Sequence, residues 1–268
     1  MSPAEWRYAA ASALGTSHAR LGLPCQDASA CRVMTDAKGE VVLVAAVSDG
    51  AGSAVRAERG ARLACDLVVD EVAALLETGG DLRRITREFL EGWLVRFQQE
   101  VAARAQAEEL APRDFACTLL GAVVGADCAV FFQIGDGTIV VSTADESGDY
   151  NWIFWPANGE YANTTFFATD PEAASHLSWD LVERRVEELA LLTDGLQQLA
   201  LHFQTRTAHA PFFRPLLAAV RNAGPIEAEA LSAKLAGYLD SPAVNERTDD
   251  DKTLILATRR HEKAEALR

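Results

Sequence analysis

The chain has 268 residues, of which 49% are hydrophobic and 24% are charged, a composition that supports a folded core in one large domain or two small ones. Its formal net charge of -14 argues against partners that are themselves polyanionic, because they would be repelled. Neither nucleic acid nor an anionic membrane surface is therefore an expected partner.

Cysteine usage indicates a reducing compartment, and the lack of long apolar runs argues against a membrane helix. The five cysteines include no Cys-x-x-Cys pair, so we expect free thiols rather than disulfides or a zinc site. No run approaches the ~20 apolar residues of a membrane helix. The N-terminal residues also lack the basic and apolar regions of a signal peptide. The sequence predicts a soluble, cytoplasmic protein.

The first half of the sequence predicts three strands and then two long helices. The strands are expected at 8–12, 28–34 and 41–47, and the last two should form a hairpin. Residues 15–24 are expected to be a loop because they are rich in Gly, Ser and Pro. Apolar residues recur at helical spacing over 54–76 and again over 81–109, where Asp81 is the expected N-cap.

The second half returns to short strands, with helices near its end. Strands are predicted at 116–124, 129–134, 138–142, 152–155, 165–168, 188–193 and 253–257. The first three have connections too short for crossover helices, so we expect antiparallel neighbours. Helices are predicted at 196–203, 211–221 and 226–239. Residues 145–180 show no clear period and are expected to form a flap or insertion that shapes access to a site.

Aspartates recur where the predicted strands begin or end. Asp49 and Asp194 each follow an apolar strand and precede glycine, and Asp136 lies in a Gly-Asp-Gly turn. Asp27 precedes a strand, and Asp250 lies in an acidic run before the last one. Each alone is more often a turn or cap residue. Gathered together, however, the carboxylates would repel one another unless cations lay between them, and Mg²⁺ or Mn²⁺ prefer such oxygen ligands.

The segments around these aspartates resemble, in order and spacing, the metal-dependent protein serine/threonine phosphatases of the PP2C type, and especially their compact bacterial branch. The matching segments are Gln26-Asp27, Val47-Ser48-Asp49-Gly50-Ala51-Gly52, Cys117-Thr118-Leu119-Leu120, Ile134-Gly135-Asp136-Gly137, Leu191-Leu192-Thr193-Asp194-Gly195 and Asp250-Asp251-Lys252-Thr253. The resemblance implies an α+β fold, a four-layer α-β-β-α sandwich with two central antiparallel sheets flanked by helices. It also implies a single domain over 1–268, with its core at 8–257 and a charged tail at 258–268.

The resemblance also implies a metal centre of carboxylates and one backbone carbonyl. The matching positions are Asp27, Asp49, Gly50, Asp136, Asp194 and Asp250. Asp49 would bridge two ions, Asp27 would hold a metal-bound water, and Asp136 would help to bind a third ion. The choice of Asp250 rather than Asp251 rests on counting back from Thr253.

The implied reaction is hydrolysis of phosphoserine or phosphothreonine by a water that bridges two Mn²⁺ or Mg²⁺ ions. No protein nucleophile is needed. The implied partner is a phosphorylated protein, the substrate of a cognate serine/threonine kinase.

The chain departs from the family pattern at three points. Many members have a glutamate where this chain has Gln26 and a histidine, a candidate proton donor, where it has Ala51. The phosphate-binding arginine expected before Asp27 has no clean match. Arg20 and His18 are the nearest candidates, and His18 could also replace the missing acid, because imidazole exchanges protons near neutral pH. These departures leave open a second hypothesis, a weak or inactive PP2C-like module that binds a phosphoprotein.

Overall fold

Two antiparallel five-stranded sheets pack face to face, and helices cover their outer faces. This architecture comes from a computed structural model that describes residues 6–144, 149–156, 165–223 and 228–259. The predicted four-layer α-β-β-α sandwich is therefore confirmed. Among the described residues, no helix combines the length and apolar character needed to cross a bilayer.

The elements follow the predicted order closely. The strands are β1 Arg7–Ala13, β2 Ala28–Thr35, β3 Val41–Ser48, β4 Leu119–Val124, β5 Ala129–Ile134, β6 Thr138–Thr143, β7 Asn151–Trp152, β8 Ser178–Val182, β9 Val186–Leu192, β10 Leu201–His202, β11 Thr207–Ala208 and β12 Lys252–Thr258. The α-helices are α1 Thr16–Leu21, α2 Ala57–Glu77, α3 Arg87–Ala107, α4 Gln197–Ala200, α5 Ala210–Asn222, α6 Ala228–Leu239 and α7 Pro242–Asn245. One sheet has the order β1-β12-β9-β6-β7 and the other β2-β3-β4-β5-β8, while β10 and β11 form a separate hairpin.

The uninterrupted apolar run of β3 reflects its place in the middle of the four layers. Val42, Val44 and Ala46 face the helical layer of α2 and α3. Leu43 and Val47 alternate with them and face the opposite sheet. Because both faces of the strand are buried, the run has no polar alternation. The outer face of the other sheet is covered in the same way by α5 and α6.

Several predicted details are wrong, and each has a local cause. Residues 16–21 of the expected loop form α1, which ends at Gly22 in the left-handed conformation. Asp81 caps only a 3-10 turn, whereas α3 begins after Thr86, whose side chain accepts a hydrogen bond from the Phe89 amide. The expected helix over 196–203 stops at Ala200 and gives way to β10.

Two errors concern the region without a clear period. Residues 165–168 form no strand, while β8, which was not predicted, lies at the edge of the second sheet beside β5. Much of the proposed flap, residues 145–148 and 157–164, lies outside the described residues. The expectation that this segment shapes access to a site therefore stays a prediction.

The Gly-Asp-Gly turn at 135–137 is not a hairpin. β5 belongs to one sheet and β6 to the other, so the chain crosses between sheets at Asp136. Gly135 has a φ of 108°, a conformation that residues with a Cβ rarely adopt. The crossing places the ends of both sheets side by side, which an ordinary hairpin would not do.

The predicted tail begins too early. Thr258 ends β12 and is buried, and Arg259, which is 5% exposed, stacks on Trp6 and donates to the Gly125 carbonyl. Both residues therefore belong to the packed domain. Residues 260–268 lie outside the described part of the chain.

A close approach between α2 and the segment that precedes β4 supplies a test of the packing. A Cβ at Gly60 would overlap with the carbonyl group of Phe115, whereas a Cβ at Gly237 in α6 would meet nothing within 4 Å. We expect Gly60→Ala to lower the free energy of unfolding by about 1–3 kcal/mol, by overpacking. The control Gly237→Ala should raise it by about 0.4–1 kcal/mol. Urea unfolding of both variants measures the difference, and equal effects would contradict the described contact.

Candidate metal centre

Asp49 is held by the segment that leads into β4. The Thr118 hydroxyl accepts a hydrogen bond from the Asp49 amide (2.9 Å), and the Thr118 amide donates to the Asp49 carbonyl (2.8 Å). Gly50 forms a β-bridge with Cys117, and a Cβ at Gly50 would clash with Ala57 and with the Gln26 carbonyl. The glycine after Asp49 is thus required by close packing on several sides.

A second set of contacts joins the ends of β9 and β12 to Asp27. The Thr193 hydroxyl donates to Asp27 Oδ2 (2.7 Å) and accepts from the Thr253 amide (3.0 Å). Gly195 lies so close to Asp251 that a Cβ would overlap with the Asp251 carbonyl. The turn after β9 and the turn before β12 are therefore fixed against each other.

These contacts gather carboxylates at one end of the sandwich, in an open cleft of about 300 Å³. Of the predicted ligands, Asp49, Gly50, Asp136, Asp194 and Asp250 line this cleft. Asp27 is buried and does not line it, but its charge contributes to the raised pKa of Asp49, so the two carboxylates are close in space.

The electrostatics of the cleft disfavour the charged carboxylates. Burial, followed by the charges of Asp27 and Asp194, raises the pKa of Asp49 well above its usual range. Burial also raises the pKa of Asp27 to about 7 and that of Asp194 to about 6. The pKa of Asp250 is raised in the same direction, again mainly by burial. The described lining of the cleft contains no lysine or arginine to offset these charges.

Asp250 and Asp251 have different surroundings. Asp251 is 2% exposed, and its carboxylate accepts hydrogen bonds from the Gly15 amide, the Gln26 amide and His18 Nδ1. These contacts leave Asp251 little capacity for a metal ion. Asp250 lines the cleft instead, which favours the predicted choice of Asp250 as the ligand.

The two candidates for binding or protonating the substrate are placed differently. His18 in α1 lines the cleft, with its Nδ1 2.8 Å from Asp251 Oδ2. Arg20 lies two residues further along the same helix and is exposed. Its side chain is 69% exposed, pairs with Asp249 and is not part of the cleft lining. The phosphate-binding role of Arg20 stays a prediction, without support from its position.

The structure adds residues that the sequence patterns did not single out. The Thr165 hydroxyl donates to Asp136 Oδ2 (2.6 Å), and Gln197 Nε2 donates to the Asp136 carbonyl. Phe167 lines the cleft and packs against the small apolar cluster that contains Ala51. Thr165 and Phe167 lie in the region without a clear period, so no pattern could assign them. Gln197 lies two residues after Asp194-Gly195, and that proximity is the signal the sequence offers.

Buried oxygen atoms provide a test of whether a divalent cation fits here. Gln26 Oε1, Asp27 Oδ1 and Asp194 Oδ1 are buried and have no hydrogen-bond partner. A cation, or water held by one, would supply the missing partner and offset the charge. The described residues nevertheless contain no group of three or more His, Cys, Asp or Glu side chains that is already arranged to hold a metal. The donor set fits a hard cation that keeps part of its water shell.

Comparison with known proteins decides the family. Residues 14–240 match the family model described as Protein phosphatase 2C. The chain is also 39% identical over 253 residues to serine/threonine-protein phosphatase 3 of Escherichia coli (strain K12), covering 94% of this chain and 98% of that protein. The chain belongs to the protein phosphatase 2C family. Membership confirms the predicted family and agrees with a metal-dependent protein phosphatase. None of these findings favours the inactive module.

Solved structures agree at the level of the fold. A bacterial serine phosphatase superposes with a TM-score of 0.59 at 17% identity, covering 97% of this chain and 99% of that one. Serine/threonine phosphatase Stp1 from Staphylococcus aureus superposes with a TM-score of 0.56 at 18% identity, covering 95% and 94%. The fold thus persists where most of the sequence differs.

Repulsion among the carboxylates predicts that Asp49 destabilises the metal-free protein. In chelator at pH 8, we expect Asp49→Asn to raise the melting temperature, by about 2–4 °C for each kcal/mol of repulsion removed. The gain should shrink as the pH falls from 7 to 5. Asp27 and Asp194, with raised pKa values, then take up protons in the folded wild type before the unfolded chain does, which stabilises the wild type.

The control is Asp180→Asn, which changes an exposed aspartate in β8 and should not shift the melting temperature. Added Mn²⁺ should raise the melting temperature of the wild type more than that of Asp49→Asn, because a ligand of the folded state stabilises by mass action. A lower melting temperature for metal-free Asp49→Asn at pH 8 would contradict the described repulsion.

Proposed function

We propose that this protein hydrolyses phosphoserine and phosphothreonine in proteins, using divalent cations held at the carboxylate cleft. The observation that carries the proposal is the convergence of Asp49, Asp194 and Asp250 in one cleft of a phosphatase 2C chain. The substrate class follows the name of the E. coli relative, which is similar along nearly its whole length.

The carboxylates would hold two divalent cations, and a third through Asp136. Asp49 is the proposed ligand shared by two cations. The Gly50 carbonyl, Asp194 and Asp250 would be further ligands, and Asp27 would hold a bound water. When bound, the cations would lower the pKa of a bridging water and offset charge on the phosphoryl oxygens. All donors are oxygen atoms, which suits Mn²⁺ or Mg²⁺.

His18 is the proposed proton donor to the leaving group. Its Nδ1 donates to the Asp251 carboxylate, so Nε2 is the ring atom free to transfer a proton. Asp251 acts as a positioning residue, since it also fixes the backbone at Gly15 and Gln26. Ala51, at the position of the usual family histidine, carries no acid, and it lies in the cleft lining in an apolar cluster against which Phe167 packs.

The cellular setting is part of the proposal. All five cysteines are free thiols, as the sequence predicts, which suits the reducing cytoplasm. The partner would be a phosphorylated protein that a cognate serine/threonine kinase modifies.

The first test is metal-dependent turnover. We expect Mn²⁺-dependent hydrolysis of p-nitrophenyl phosphate and of a phosphothreonine peptide, and a loss of about three orders of magnitude or more in Asp49→Asn, because two-metal activation of water is removed. Initial rates with and without chelator measure it. A folded wild type without such activity would instead support the inactive binding module.

The second test separates a proton donor from a structural histidine. We expect His18→Gln to lower kcat for a phosphothreonine peptide by about 100-fold. For p-nitrophenyl phosphate the loss should be less than about tenfold, because nitrophenolate leaves without being protonated. Asp251→Asn should show the same contrast, and the control His202→Gln, which changes an exposed histidine in β10, should show no loss. Equal losses on both substrates in His18→Gln would rule out the proton-donor role.

A further inference from the structure

Three aromatic side chains and one arginine form a partly exposed surface beside the β10-β11 hairpin. We call Trp152, Trp155, Phe203 and Arg206 the aromatic platform. The ring centroids of Trp152 and Trp155 lie 5.4 Å apart, and those of Trp155 and Phe203 lie 5.6 Å apart. Both contacts are edge-to-face, so the rings form one continuous group.

Arg206 is fixed on this group by its backbone and its side chain. Trp152 Nε1 donates to the Arg206 carbonyl (2.7 Å), and Arg206 has a φ of 53°, a left-handed conformation that few non-glycine residues adopt. Its guanidinium carbon lies 5.3 Å from the Trp155 ring centroid and 6.0 Å from that of Trp152. The hairpin thus holds the guanidinium in one place.

The guanidinium of Arg206 lacks the counter-charge that many other arginines have. Arg32, Arg96 and Arg104 each pair with an Asp or Glu, but no carboxylate of the described residues pairs with Arg206. A guanidinium that lies over aromatic rings and pairs with no carboxylate keeps N–H donors for a ligand, and these donors match a carboxylate. Phe203, which is 45% exposed, adds an apolar surface beside them.

The platform is linked to the Asp136 end of the cleft by β6, which pairs with β7, and by α4, which precedes the hairpin. Trp152 in β7 pairs with Val140 in β6. Val140 lies four residues after Asp136, which corresponds to about 13 Å along a strand. The hairpin follows α4, whose first residue, Gln197, donates to the Asp136 carbonyl. An extended peptide with its phosphate in the cleft would cover this distance in about four to six residues.

We propose that the aromatic platform docks an acidic segment of the substrate protein, a carboxylate next to a large apolar side chain, about four to six residues from the phosphorylated residue. The carboxylate binds the Arg206 guanidinium, and the apolar side chain packs on Phe203. The proposal rests on the proposed phosphatase function. In a chain with a net charge of -14, the fixed cation gives acidic substrates a specific local contact.

Phosphothreonine peptides test the proposal. One pair of peptides carries Glu-Leu five residues before or five residues after the phosphothreonine, and a matched pair carries Ala-Ala there. The enzymes are wild type, Arg206→Gln, Arg206→Glu, Phe203→Ala and the control Arg32→Gln, which removes an exposed arginine on β2. Each is assayed for kcat/KM on the peptides and on p-nitrophenyl phosphate.

We expect wild type to prefer at least one Glu-Leu peptide to its Ala-Ala match by about tenfold, the effect of one good charge-assisted contact. Arg206→Gln should abolish the preference, Arg206→Glu should reverse it, and Phe203→Ala should reduce it. Arg32→Gln should keep it, and all variants should hydrolyse p-nitrophenyl phosphate at the wild-type rate. No preference in wild type, or one that survives Arg206→Glu, overturns the docking surface.

A binding measurement provides a readout apart from turnover. The fluorescently labelled Glu-Leu peptide is titrated against Asp49→Asn with and without Arg206→Glu, and anisotropy gives Kd. We expect a Kd about tenfold weaker with Arg206→Glu, and an unchanged Kd would overturn the proposal. Failure of the proposed function is distinct, since wild type would then not hydrolyse p-nitrophenyl phosphate either.

Discussion

Mutual repulsion among buried carboxylates is the constraint on which the described site depends. Asp27, Asp49 and Asp194 have raised pKa values because they are buried close to one another, and the cleft lining offers no basic side chain except His18. The fold holds them with neutral groups instead. The hydroxyls of Thr118 and Thr193 and the packing around Gly50 fix the geometry without neutralising the charge. A cation from solution would offset the charge of these carboxylates. The dependence on metal therefore follows from a fold that gathers carboxylates without neutralising them.

The crossing between sheets makes this convergence possible. Asp49 extends from one sheet, Asp194 and Asp250 border strands of the other, and Asp136 lies in the turn that joins them. The carboxylates lie at or beside the ends of packed strands. The packing energy of the whole sandwich therefore offsets their mutual repulsion. The same crossing directs β6 away from the cleft towards Trp152, which links the site to the aromatic platform.

The departures from the family pattern gain a structural context. Gln26 is 3% exposed with an unpaired Oε1, so a neutral oxygen stands where many relatives have a carboxylate. Ala51 belongs to an apolar cluster against which Phe167 packs, while His18 reaches the cleft from α1 and is oriented by Asp251. The cleft is therefore asymmetric, with an apolar part at Ala51 and Phe167 and a polar part at His18 and Asp250. This arrangement is compatible with an active enzyme whose acid comes from another element.

Most of the strands and helices, the family and the candidate aspartates could be predicted from the sequence. Those features are recorded in short-range patterns, such as an apolar run that ends in Asp49-Gly50 or helical spacing over α2. Three features could not be predicted from the sequence. The turn at Asp136 joins two sheets, the Asp251 carboxylate accepts three hydrogen bonds, and His18 rather than Arg20 faces the cleft. The last two depend on contacts such as His18 with Asp251, more than 200 residues apart in the chain. Local patterns cannot specify such contacts, because only the packing of β1, β9 and β12 brings those residues together.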